Sequence, residues 1–138
     1  AARRDHLEKT IRPALARGEV VITDRFADST RIFQGITRGD LSQIVDRLHE
    51  LMIGVEPDLT LIFDLDPATG LSRATARAGK ELRFEDMGLA FQQKARAGFL
   101  ALAAQHPRFR VVDADGDPDT VAARVWQVVS AALGQGRA

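Results

Sequence analysis

The chain has 138 residues, is 45% hydrophobic and 28% charged, and balances 19 acids against 19 Lys and Arg. That is the profile of one soluble α/β-sized domain, read here as 1–138, and its zero net charge argues against bulk attraction to nucleic acid or a membrane surface. It has no Cys, hence no disulfide framework and no thiolate metal site. No apolar run approaches the ~18 residues of a membrane span. The start, "AARRDHLEKT", lacks a signal-peptide layout and lacks Met, so it reads as an internal start.

In chain order, residues 5–17 predict a helix, with Leu7, Ile11 and Leu15 at i, i+4, i+8, Pro13 kinking it or near its last turn, and Gly18 as its stop. Residues 20–23, Val-Val-Ile-Thr, predict a first strand. Residues 29–38 predict a short helix. Asp40 can cap the next, which carries Leu41, Ile44, Val45, Leu48 and Met52 on one face and ends at Gly54. Pro57-Asp58 reads as a turn. Residues 59–65, "LTLIFDL", form the near-continuous apolar run of a strand covered on both faces. Asp66-Pro67 starts a helix, with Asp as cap and Pro at its first position. Residues 73–86 are basic and poorly periodic, a candidate lid. Residues 87–105 predict a long helix with Phe91, Ala95, Phe99 and Leu102 inward. "FRVVDAD" predicts a third strand, and Asp117-Pro118 starts a last helix with Val121, Val125 and Val128 inward. Alternating strands and helices imply a three-layer α/β fold, a parallel sheet with helices on both faces.

In such sheets ligands bind beyond the carboxyl ends of the strands. All three predicted strands end in acids: Asp24 beside Arg25, Asp64 with Asp66, and Asp113 with Asp115. Arg25 can fork onto a phosphate while Asp24 holds it or a Mg²⁺-bound water. The pair reads equally well as a structural ion pair tying strand to helix. Thr30 and Gln34 share a helix face, where a hydroxyl and a carboxamide could read a base edge; an ordinary polar face has the same pattern. Arg73, Arg77, Lys80 and Arg83 suit a lid that closes on phosphates, but on the residues alone read better as a solvated loop. "DADGDPDT" has the acid spacing of a calcium loop, but Pro118 stands where Gly is needed and Arg124 where Glu is needed. His6, His49 and His106 have no ligand spacing and read as surface or helix-end residues. Trp126, one residue off the Val stripe, reads as packing.

At "DRFADSTRIFQG" the sequence resembles bacterial thymidylate kinase, of the P-loop nucleoside monophosphate kinase type. "AARRDHL", "IRPALARGEVVITDRF", "STRIFQGITRG", "EPDLTLIFDLDPATGLSRA", "RFED" and "VVDAD" occur in the family's order. The resemblance implies transfer of the γ-phosphoryl of ATP to dTMP, with Mg²⁺ accompanying ATP, in a cytoplasmic homodimer. It implies that Arg25 contacts the dTMP phosphate and the transferred phosphoryl, with Asp24 near Mg²⁺ through water. Arg3, Thr30 and Gln34 would contact thymine, and Phe33, where the family usually has Tyr, would flank the deoxyribose. At least one of Arg73, Arg77 and Arg83 would stabilise the phosphoryl in flight. Asp113, Ala114 and Asp115 would lie on the adenine side.

The family's phosphate loop, G-x-x-x-x-G-K-[ST], does not occur in these 138 residues. The resemblance therefore implies a C-terminal part of such a kinase, which would not turn over ATP alone. Two other readings stay open: a nucleotide-binding fragment without catalysis, and an interaction fragment that completes its sheet with another chain.

Overall fold

The computed structural model describes residues 2–37, 42–77 and 88–135. They fall into two compact units, Ala1–Glu56 and Pro57–Ala138.

The first unit opens on helix α1, residues 2–16, which contains a π-helical segment, Leu7–Ile11, between α-helical ends. There the Arg12 N–H donates to Leu7 O, five residues back. Pro13 follows at once, in the first turn of Arg12–Ala16. A proline has no N–H to give and its ring crowds the carbonyl four residues earlier, so a wider turn upstream eases its place inside the helix. The expected kink is thus a π turn. Leu7, Ile11 and Ala14 are buried, while Leu15 is 45% exposed. At 100° per residue the seventh position after Leu7 lies nearer the stripe than the eighth, which corrects the reading of Leu15. Gly18, at φ +78, closes the helix. Its N–H bonds to Leu15 O and that of Glu19 to Ala14 O, a Schellman ending that needs the left-handed backbone glycine supplies.

Helix α2 spans Ala27–Thr37 and α3 spans Ser42–Met52, and the two pack together. Asp40, the expected cap, lies outside the described residues. Leu7, Ile11 and Ile53 form the core of this unit, with Val21, Phe26 and Val55 packed against it. On the apolar face of α3, Ile44, Leu48 and Met52 are 55%, 56% and 45% exposed. One expectation fails here: residues 20–23 form no strand. Val21 packs against the core and Val20 and Ile22 are turned out, but nothing among the described residues offers them a ladder. Four β-branched residues favour an extended chain; a strand also needs backbone partners, which are nonlocal.

In the second unit, strands β1, Thr60–Asp64, and β2, Phe109–Asp113, pair in parallel from Thr60↔Phe109 to Asp64↔Asp113. Helices α4, Pro67–Ala76, and α5, Gly88–Gln105, form the crossover, and α6, Pro118–Gln135, follows β2. Both expected Asp-Pro starts hold. Asp66 caps α4 by accepting from Thr69 N, and Asp117 accepts from Thr120 N at 2.8 Å. Helix α5 lies against both strands and α4. Ala74, Ala95, Phe109 and Val112 are buried, but Phe63 is 56% exposed, so β1 is not covered on both faces. Trp126, read as packing, is 64% exposed, because one step off the Val stripe turns it outward. The fold is α/β with a small parallel sheet, and no described helix is long and apolar enough to cross a membrane.

Candidate functional site

In the first unit, four of the residues singled out above come together in two contacts. Arg3 lies four residues before Leu7, on the buried face of α1, so its side chain turns inward. Its Nη2 donates to Thr30 Oγ1 at 3.1 Å and to Phe26 O at 3.3 Å, with the guanidinium 5.4 Å from the centre of the Phe26 ring. The Arg25 guanidinium lies over Phe33, 5.7 Å from its ring centre. Asp24, Arg25 and Gln34 are exposed.

Arg25 has φ +62, and it alone among the described non-glycine residues has positive φ. Thr23 Oγ1 donates to Arg25 O at 2.7 Å and helps hold that turn. A non-glycine residue in this region carries strain that its surroundings must over-determine, and such residues cluster at functional sites.

Sequence reading missed a cluster on the neighbouring α2 position. Arg31 donates Nη1 to Asp28 Oδ1 at 2.8 Å, Nε to Asp46 Oδ1 at 2.7 Å and Nη2 to Glu56 Oε1 at 2.7 Å. Burial works against its charge, but the hydrogen bonds to Glu56 and Asp46, with Asp28, outweigh it and hold the guanidinium above its ordinary pKa. Asp28 and Arg31 at i, i+3 were a visible signal; Asp46 and Glu56 were not. His49, at the end of α3 as expected, is buried rather than on the surface. Its Nε2 lies 3.0 Å from Glu56 Oε1 without hydrogen-bond geometry, and its ring meets Phe26 edge-on.

In the second unit the paired register sets Asp64 and Asp113 side by side at the strand ends. The Asp64 carboxylate is held, while the Asp113 side chain is 66% exposed. Arg96 grips Asp64 bidentately, at 2.7 and 3.0 Å, and that hydrogen bonding holds the Asp64 carboxyl below its usual range. Arg124 donates to the carbonyls of Asp113 and Asp115. Arg73, expected over phosphates, instead reaches Ala114 O and Asp115 Oδ1, both at 3.4 Å. Arg77 forms the C-cap of α4. Arg83 lies outside the described residues. Arg96 and Arg124 carried no sequence signal, since each meets its partner only through the tertiary fold.

Among the described residues no three His, Cys, Asp or Glu side chains are grouped to hold a metal ion.

A protein-family model described as thymidylate kinase matches residues 1–125. A thymidylate kinase of Ruegeria pomeroyi is 62% identical over 138 residues, covering 99% of this chain and 65% of that protein. One from a Jannaschia species is 60% identical over 136 residues, covering 98% of this chain and 65% of that protein. The crystal structure of a thymidylate kinase from Ehrlichia chaffeensis, 33% identical, matches with a TM-score of 0.66 over 92% of this chain and 58% of that one. The chain spans about 65% of the length of these curated relatives.

Proposed function

Because the chain belongs to the thymidylate kinase family, we propose that it serves the transfer of the γ-phosphoryl of ATP to dTMP, giving dTDP, and that its first unit holds the dTMP. The observation that carries this reading is the strained turn at Arg25, φ +62, with its guanidinium over Phe33. A long cationic side chain on a backbone held against its preference is suited to a phosphate, whose oxygens a guanidinium meets in two parallel hydrogen bonds. Phe33 then flanks the sugar. Thr30 and Gln34, four apart on α2, face the base edge, and the Arg3 bond to Thr30 Oγ1 orients that hydroxyl.

In the second unit Arg73 and Arg77 stand on the donor side, with Arg83 in the lid segment 73–86. The loop at Asp113, Ala114 and Asp115 takes the adenine side, where the Arg73 contacts support one connected element. Asp24 would face, through water, the Mg²⁺ that accompanies ATP, which would neutralise charge on the phosphates. The chain's own part is positioning and electrostatic stabilisation of the phosphoryl groups. The exposed Ile44, Leu48 and Met52 on α3 fit a homodimer contact, and a cytoplasmic enzyme fits the family reading.

The test is calorimetric titration of the chain with dTMP, dUMP, dCMP and AMP, beside coupled ADP release from Mg·ATP. Selective binding of dTMP supports the reading, and turnover with dTMP extends it to the donor side. Preference for AMP, or binding of no nucleotide, sinks it. One observation favours a second reading, a fragment that completes its sheet with another chain: Val20 and Ile22, in a segment with no ladder among the described residues, are 66% and 91% exposed. Association that rises with concentration and protects the amides of residues 20–23 from exchange would support that reading.

A further inference from the structure

Arg31 binds three carboxylates from three places in the first unit. Asp28 is on its own helix, Asp46 is on α3, and Glu56 follows α3. The Arg31 side chain is 15% exposed, whereas Asp46 and Glu56 are 55% and 39% exposed. Outer arms so open to water contribute little each to stability. What three arms at fixed angles do supply is geometry. A guanidinium is a rigid planar fork, and a lysine ammonium cannot span the same three acids.

Helix α2 needs such a constraint. Among its described side chains only Ala27 and Asp28 are buried, so apolar packing leaves its rotation about its own axis weakly defined. Thr30 adjoins Arg31, and Gln34 is one turn on. At a side-chain radius of ~6 Å, a rotation of ~10° moves a tip by about 1 Å. Hydrogen bonds that read a base edge tolerate roughly half of that.

We propose that Arg31 is a positioning residue: its three-carboxylate clamp sets the rotation of α2 and thereby the fit of Thr30 and Gln34 to the nucleobase edge. The inference rests on the dTMP reading above.

The test titrates the 138-residue chain with dTMP and dCMP, comparing the parent with Arg31→Lys, Arg31→Ala and Asp46→Asn and checking each fold by circular dichroism. Cytosine carries an amino group and a bare ring nitrogen where thymine carries a carbonyl and an N–H, so the pair reports edge recognition. Misplacement by about 1 Å is expected to weaken dTMP binding about 10-fold or more in Arg31→Ala, less in Arg31→Lys. The preference for dTMP over dCMP shrinks with it. Asp46→Asn, which keeps an accepting oxygen but removes the charge of one exposed arm, gives a smaller loss in the same direction, and it decides the matter if Arg31→Ala does not fold. Folded variants whose dTMP affinity and preference both stay within about twofold of the parent overturn the inference, since a tenfold change is only ~1.4 kcal/mol. So does an equal loss for both nucleotides that tracks the loss of folded protein. A parent chain that binds neither nucleotide overturns the dTMP reading itself.

Discussion

At Arg25 the backbone and the side chain have opposite interests. A left-handed conformation costs a non-glycine residue roughly 1–2 kcal/mol. Glycine removes that strain but loses more chain entropy on folding, roughly 0.5–1 kcal/mol. Arg25→Gly is therefore expected to unfold at a temperature no lower than the parent's while binding dTMP far more weakly. A clearly lower midpoint would mean that the side-chain contacts, not the ligand, hold the turn. Leu7 gives the opposite case. It is 1% exposed in the core with Ile11 and Ile53, and Leu7→Ala is expected to cost about 2–5 kcal/mol by denaturant titration. A loss under about 1 kcal/mol would show that the π-helical turn collapses into the space.

At the scale of elements, the ends of β1 and α4 are held by acids with different duties. Asp66 caps α4, and Asp66→Ala is expected to cost about 1 kcal/mol. Asp64 is held by Arg96, which lowers its carboxyl pKa in the folded state. A depressed folded pKa contributes stability above the unfolded carboxylate range, and that contribution fades as pH falls through the folded value. Arg96→Ala should therefore narrow the stability gap between pH 7 and acid, read from thermal midpoints across pH. An unchanged pH profile would show that the pair contributes nothing beyond its geometry. The helices and their stops were legible in the residues: Gly18, Gly54, Asp66-Pro67 and Asp117-Pro118 all act as read. These are local signals, complete within a turn or two of chain.

At the scale of the molecule, zero formal net charge meets exposed Ile22, Leu51 and Trp126, which are 91%, 78% and 64% exposed. A chain without net repulsion and with outward apolar groups associates most readily where its charge vanishes. Light scattering across pH should find the greatest association near neutrality, weakening on either side. A monomeric mass at every pH and concentration would refute this and the homodimer with it.

The sequence by itself determined the helices, two strands and the family, because capping, periodicity and an ordered set of motifs are written in short stretches of chain. It could not decide which apolar stripes are covered. Ile44 and Leu48 have the pattern of a core face and lie exposed, and residues 20–23 have the composition of a strand without its ladder. Only the tertiary structure joined Arg31 to Asp46 and Glu56, Arg96 to Asp64, and Arg73 to Asp115. A guanidinium's choice among distant carboxylates depends on how elements pack, and that information is nonlocal.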